Sequence, residues 1–182
     1  MRTEIRISGT GGQGSVLAST ILAEAIGVYD GKEAIQTQEY ETAIRGGRAA
    51  GDCVTDDDRI TYPWVLEPNI LIAQHSLAIH DHMGKMPPGG TLIYDTVFVF
   101  DRPERSDIEM FGVPMTKMAD DAGLRRSANM LMLGVVSKAT GIVSGDSLRK
   151  AVRMRSPGKS VEPNLKALEL GLSVEVNEFR IQ

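Results

Sequence analysis

The chain opens with a change of hydrophobic period that predicts a strand, a loop and a helix in succession. Residues 3–8 alternate, with Ile5 and Ile7 on one face, which indicates a β-strand. Between residues 15 and 28 the apolar residues follow helical spacing, with Val16, Ile21 and Ala25 among them. The glycine-rich residues 9–14 connect the two elements.

Similar patterns predict further elements along the chain. Strands are expected at residues 33–38, 49–55, 69–73, 91–95 and 111–115, and helices at residues 77–83, 129–140, 145–153 and 162–174. Because strands alternate with helices, we expect an α/β fold: a three-layer α/β/α sandwich, Rossmann-like, with a mostly parallel sheet. The length of 182 residues suits a single domain over residues 1–182.

Composition and charge narrow the possible functions. The net charge of −4 argues against a general nucleic-acid binder, because such proteins neutralise phosphates with a positive surface. Cys53 is the only cysteine, whereas an iron–sulfur cluster usually takes four thiolates. The sequence shows neither a signal peptide nor an apolar run long enough for a membrane span, so we expect a cytoplasmic protein without membrane contact.

The glycine loop carries the clearest chemical signal. Residues 9–14, GTGGQG, fit the G-x-G-x-x-G pattern between a strand and a helix. Glycines allow a tight turn and close approach of a ligand, and the unpaired amides at a helix start attract anions. Ser15 is expected to cap the helix.

The match to a dinucleotide site is incomplete. Such sites use an acidic residue about 20 positions beyond the glycines to hold the ribose. Here Glu33 lies at the start of the second predicted strand, and Glu39 lies just beyond its end. Three interpretations therefore stay open: a loop that binds another anion, a stand-alone dinucleotide-binding protein, and a turn that only packs the helix on the sheet.

Three segments together resemble one protein family. They are GTGGQGSVLASTILAEA at residues 9–25, TQEYETAIRGGRAAGDCVTDD at residues 37–57, and SANMLMLGVVSKATG with EPNLKALELG at residues 127–141 and 162–171. In this order they resemble the gamma subunit, or gamma domain, of the 2-oxoacid:ferredoxin oxidoreductases. The chain departs from that family at Glu41, where glycine is usual, and at Ala43, where glutamate is usual.

The resemblance implies a role inside a complex. Such complexes oxidatively decarboxylate a 2-oxoacid, here expected to be 2-oxoglutarate, to an acyl-coenzyme A and pass electrons to ferredoxin. The implied partners are alpha and beta subunits, with or without a delta subunit, and they carry thiamine diphosphate and the iron–sulfur clusters. This chain alone is therefore expected to bind no cofactor and to be inactive. Coenzyme A has phosphates, so the expected binding residues, with no catalytic or metal residue among them, are Gly9, Gly11, Gly12, Gln13, Gly14 and Arg45.

Two other groups of residues suggest weaker possibilities. His75, His80 and His82 lie close in sequence, but their spacing does not match a zinc motif, so we interpret them as surface or interface residues. The run from Arg149 to Lys159 is basic, and it is interpreted either as a solvated helix face or as a contact for an acidic partner such as ferredoxin.

Overall fold

The computed structural model describes residues 1–40 and 47–181. Its strands are β1 Thr3–Thr10, β2 Glu33–Tyr40, β3 Arg48–Asp56, β4 Ile70–Ala73, β5 Thr91–Asp95 and β6 Glu109–Val113. Its α-helices are α1 Ser15–Glu24, α2 Ser76–His82, α3 Met115–Asp121, α4 Ala128–Thr140, α5 Gly145–Arg155 and α6 Val161–Leu172. A π-helical turn, Ala25–Tyr29, extends α1. None of the described helices is long and apolar enough to cross a bilayer.

The strands form one sheet in the order β2-β3-β1-β4-β5-β6. Strands β1, β4, β5 and β6 are parallel to one another, whereas β3 pairs antiparallel with both β1 and β2. The expected α/β fold with a mostly parallel sheet is therefore confirmed. What the sequence pattern does not reveal is that β3 lies between β1 and β2.

Helices cover both faces of the sheet, but unequally. One face carries α1 and the bundle of α4, α5 and α6, and it holds the larger apolar core with Ile5 and Ile7 of β1 at 0% exposure. On the other face α2 contacts β1 and β4. A smaller apolar core there contains Leu71, Leu92 and Tyr94.

Alternation along β1 explains why the two faces differ. Side chains of successive strand residues point to opposite faces, so Ile5 and Ile7 enter the larger core while Arg6 and Ser8 face α2. Arg6 and Ser8 are nevertheless buried, at 5% and 4% exposure. The polar half of this strand is therefore an interior surface and not a solvated one.

Two details of the element prediction are wrong. The last strand ends at Val113, and Met115 instead begins the short helix α3, which the sequence pattern does not predict. Met115 is buried, so its apolar side chain fits the predicted strand pattern although it belongs to a helix.

Candidate functional site

The glycine loop connects β1 to α1 through two left-handed glycines. Gly12 has φ +97° and Gly14 has φ +79°, conformations that L side chains rarely adopt. A Cβ on Gly14 would also lie 2.5 Å from the Asn129 Nδ2 atom at the start of α4. Packing therefore excludes a side chain at Gly14. The space around Gly12 is open, so at that position only the left-handed backbone conformation favours glycine.

Gln13 holds the loop from inside. Its Oε1 atom accepts hydrogen bonds from the Thr10 amide at 2.7 Å and the Thr10 hydroxyl at 3.1 Å, and its Nε2 atom donates to the Gln74 carbonyl at 2.8 Å. The Gln74 side chain donates in return to the Gln13 carbonyl at 3.2 Å. Gly9 leaves room for this arrangement, because a Cβ there would collide with the Gln13 Oε1 atom.

The expectation that Ser15 caps α1 is wrong. The N-cap position is Gly14, with no side-chain cap, and Ser15 is the first helical residue. The Ser15 hydroxyl donates instead to the Gln74 Oε1 atom at 2.6 Å. Gln74 follows β4, so this bond joins the start of α1 to the end of β4, and the Ser15 side chain does not compete for the helix amides.

Several loop and helix amides remain available for a ligand. The Gly11 amide donates to the Gly47 carbonyl at 2.9 Å, so it is already paired. Among the described residues, the amides of Gly12, Ser15, Val16 and Leu17 have no hydrogen-bond acceptor. These residues line a cavity of about 210 Å³ together with Tyr40 and Ala49. The arrangement suits an anionic group.

The strand order removes the ribose contact of a dinucleotide site. In a Rossmann fold the second strand lies next to the first, which brings its terminal acidic residue to the ribose. Here β3 separates β2 from β1, and Glu33 lies opposite Asp56, at the end of β1 far from the loop. Glu39 instead accepts a hydrogen bond from Arg6 at 3.1 Å. The geometry therefore does not favour a stand-alone dinucleotide-binding protein.

A polar cluster, Arg6, Glu39, Asp52 and His82, lies on the α2 side of β1 and β3. The Arg6 Nε and Nη2 atoms donate to the two carboxylate oxygens of Asp52 at 2.8 and 2.6 Å. The Arg6 Nη1 atom lies 3.3 Å from the His82 Nδ1 atom. The bidentate pair joins strand positions that are directly opposite in the β1–β3 register.

Burial and the adjacent positive charge of Arg6 lower the pKa of His82 to about 4. The imidazole is therefore neutral at pH 7, and its Nδ1 atom can accept the Arg6 hydrogen bond. A cavity of about 200 Å³ adjoins the polar cluster, lined in part by Ser8, Glu39 and His82. Tyr40 and Ala49 line both this cavity and the one at the glycine loop.

The other predicted residues give mixed outcomes. Gly11, Gly12, Gln13 and Gly14 share one loop and Gly9 lies at the end of β1 beside it, whereas Arg45 lies outside the described residues. No group of three or more potential metal ligands occurs in residues 1–40 and 47–181. Burial raises the pKa of the Cys53 thiol to about 12, which makes it a poor nucleophile at neutral pH.

Two of the five basic residues in the run from Arg149 to Lys159 are paired with carboxylates of this chain. Arg149 pairs with Glu169 and Asp146, and Arg155 pairs with Glu24. Lys150 lies over the Tyr29 ring at 5.7 Å. These contacts favour the interpretation of a solvated helix face over a contact for an acidic partner.

Comparisons with known proteins agree with this geometry. The family model of pyruvate ferredoxin/flavodoxin oxidoreductase matches residues 4–174. The 2-oxoglutarate synthase subunit KorC of Methanothermobacter marburgensis is 38% identical over 94% of this chain and 95% of that protein. The ketoisovalerate oxidoreductase subunit VorA of the same organism is 33% identical over 92% of this chain but only 35% of that longer protein.

A solved structure shows the same fold over the full length. The gamma subunit of a keto/oxoacid ferredoxin oxidoreductase from Geobacter sulfurreducens superposes with a TM-score of 0.87 at 32% identity, covering 100% of this chain and 99% of that one. The family resemblance drawn from the sequence is thereby confirmed. The chain belongs to the pyruvate ferredoxin/flavodoxin oxidoreductase family.

Proposed function

We propose that the chain is the gamma-type subunit of a 2-oxoglutarate:ferredoxin oxidoreductase. The observation that carries the proposal is the match to a 2-oxoglutarate synthase subunit at 38% identity over nearly the whole of both chains. The gamma subunit from Geobacter sulfurreducens supports the same position in the complex. The assembled enzyme would convert 2-oxoglutarate and coenzyme A to succinyl-coenzyme A and carbon dioxide and reduce ferredoxin.

The glycine loop is the part of this chain that would meet coenzyme A. Its free amides at Gly12 and at the first turn of α1 suit a phosphate, and the cavity beside them is open. Gln13 and Gly9 would act indirectly, because they hold the loop in shape. Arg45 would add a guanidinium for a second phosphate oxygen.

The companion subunits would supply the redox chemistry. Thiamine diphosphate would activate the 2-oxoacid there, and iron–sulfur clusters would carry electrons to ferredoxin. This chain has a single cysteine, and that residue is buried in β3, so its own residues cannot supply four thiolates. Its contribution would be to bind and enclose coenzyme A beside the companion subunits.

Reconstitution tests the subunit assignment. The chain is co-expressed with thiamine-binding and cluster-binding subunits of a 2-oxoacid oxidoreductase from the same organism, and ferredoxin reduction is measured with 2-oxoglutarate, pyruvate and 2-oxoisovalerate. We expect turnover that requires this chain and coenzyme A and that is fastest with 2-oxoglutarate. Full activity without the chain would contradict the assignment, and faster turnover with pyruvate would contradict the substrate.

A matched pair of variants tests the anion site. Leu17 lines the loop cavity and is 44% exposed, so its substitution need not disturb the core. Leu17→Glu places a negative charge beside the free amides, whereas Leu17→Gln has nearly the same shape without the charge. In the assembled complex we expect Leu17→Glu to raise the KM for coenzyme A about tenfold and Leu17→Gln to change it less than threefold. Equal KM values for the two variants would contradict the phosphate contact.

A further inference from the structure

Residues 57–69 form a strap that connects β3 to β4 without any regular secondary structure. Loops of this length are uncommon in compact domains unless they have a function. Exposure alternates along the centre of the strap: Tyr62 and Trp64 are each 47% exposed and Leu66 is 60% exposed, while Val65 is buried at 6%. Three large apolar side chains therefore point outward from one short segment.

The strap is held in this shape by the first residues of the chain. The Arg2 guanidinium donates to the Tyr62 carbonyl at 2.7 Å and to the Trp64 carbonyl at 3.1 Å. The Glu4 carboxylate accepts from the amides of Leu66 at 2.7 Å and Glu67 at 3.0 Å. Arg2 and Glu4 also pair with each other, at 2.8 Å.

Such an arrangement is typical of a protein interface. Tyrosine and tryptophan are enriched among the residues that dominate binding energy. A segment already fixed by backbone hydrogen bonds loses little conformational entropy on binding, so its apolar side chains contribute more of their burial to affinity. The Trp64 indole N–H and the Tyr62 hydroxyl have no hydrogen-bond partner among the described residues, so a partner could supply acceptors for both.

The exposed side-chain area of the strap limits how strongly it can bind a partner by itself. Half-exposed side chains of this size each offer on the order of 100 Å², so the three together offer about 300 Å². Two straps facing each other would bury roughly 600 Å², which is well below the 1,200 Å² or so of a stable interface. Any complex through the strap alone would therefore be weak, so the partner must also contact surfaces beside the strap, as a subunit of a larger assembly would.

Charge and homology both favour a different subunit. The strap contains carboxylates at Asp57, Asp58 and Glu67. The N-terminal amine pairs with Asp57 at 2.5 Å, which leaves Asp58 and Glu67 against the one strap guanidinium, at Arg59, so a second copy would present the same slight negative balance. In the VorA relative, the matching segment is 35% of the subunit, so there the equivalent of this chain is one part of a longer polypeptide.

We propose that the strap is the docking surface for a companion subunit of the oxidoreductase, which would offer an apolar pocket with hydrogen-bond acceptors and a basic rim. This proposal rests on the proposed function, because it takes its partner from that complex. The strap follows the end of β3 and precedes β4, so it lies by the start of β1, at the opposite end of the strands from the glycine loop. Docking there would leave the loop free for its ligand.

Photo-crosslinking and affinity measurements test the proposal on the co-expressed complex. Tyr62 is replaced by the photoreactive amino acid p-benzoylphenylalanine. Phe100, which lies outside the strap and is 78% exposed, receives the same replacement as a control. We expect crosslinks to a companion subunit from position 62 and not from position 100. A second variant, Trp64→Ser with Leu66→Ser, should weaken binding of the companions at least tenfold, and Phe100→Ser should change it less than threefold.

The outcomes separate the two proposals. If the wild-type chain binds no companion subunit, the proposed function fails. If the wild-type chain binds but position 62 gives no crosslink and the double variant binds normally, the strap assignment fails and the proposed function stands. Crosslinking of position 62 to a second copy of this chain would also overturn the assignment.

Discussion

Two arginine–carboxylate pairs in this protein have nearly the same geometry and opposite surroundings. Arg6 and Asp52 are joined by bonds of 2.8 and 2.6 Å, and their side chains are 6% and 1% exposed. Arg149 and Glu169 are joined by bonds of 2.6 and 2.9 Å, with side chains 38% and 50% exposed.

The difference teaches that hydrogen-bond geometry does not determine what an ion pair contributes. The exposed pair exchanges water for a partner at nearly equal free energy, so its net contribution is small. The buried pair has given up its hydration, and each charge there depends on the other. The interior pair is therefore sensitive to change, and it also fixes the register between β1 and β3.

Among these changes, removal of Asp52 should cause the largest loss in the free energy of unfolding. In Asp52→Ala the Arg6 guanidinium stays buried without its bidentate partner, so we expect the free energy of unfolding to fall by about 3–5 kcal/mol. Urea denaturation of the isolated chain measures the change. A loss below about 1 kcal/mol would mean that the pair is as solvated as the surface one.

Acidification should weaken the same cluster. The pKa of His82 is lowered to about 4 by burial and by Arg6 and Lys85, so the folded chain resists protonation while the unfolded chain accepts a proton near its ordinary pKa of 6.5. Stability contributed by neutral His82 is therefore present above pH 6.5 and is lost as pH falls toward 4.

We expect the free energy of unfolding to drop by about 1–3 kcal/mol over that range. Urea denaturation at several pH values measures the slope, and His82→Gln should make it shallower. An unchanged slope in the variant would show that other groups cause the pH dependence.

Replacement of both buried partners should reduce the free energy of unfolding less than removal of Asp52 alone. The double variant Arg6→Met with Asp52→Leu removes both charges of the pair, so neither is left buried without a partner. Apolar side chains fill the space. We expect a free energy of unfolding within about 2 kcal/mol of the wild type, above that of Asp52→Ala alone. Urea curves of the single variants Arg6→Met and Asp52→Leu complete the double-mutant cycle and give the coupling energy. A double variant less stable than the single one would contradict the desolvation argument.

The exposed pair should give the smallest effect. Glu169→Ala removes the bidentate partner of Arg149 but leaves Asp146 beside it and water around it. We expect a loss of less than about 1 kcal/mol, and a smaller loss at high salt. Thermal unfolding at low and high ionic strength measures both. A loss comparable with that of Asp52→Ala would show that geometry and not burial sets the contribution.

Much of the fold can be predicted from the sequence because local patterns determine it. The alternation around Ile5 and Ile7 predicts β1, and the glycines predict the turn before α1. The insertion of β3 between β1 and β2 cannot be predicted in this way, because it depends on pairing between distant residues. The sequence pattern therefore leaves the dinucleotide interpretation open, and the strand order counts against it.

The candidate site is predictable in its backbone but not in its side chains. The loop and its helix follow from the glycine spacing, whereas the role of Gln13 depends on Gln74, which is 61 residues away. Arg6 and Asp52 look like solvated strand residues in the sequence, and only the register shows that they meet in the interior. The strap gives no periodic signal, since its shape comes from hydrogen bonds to Arg2 and Glu4.

Cys53 is an intrinsic reporter of the opening of the core between β3 and α1. The sole thiol lies in β3 with 0% exposure and faces the core beneath α1, so an alkylating reagent can reach it only when α1 separates from that strand. The rate of modification thus reports the frequency of that separation without any added label. Comparing the modification rate in the free chain and in the assembled enzyme would reveal how far the companion subunits reduce the frequency of this opening.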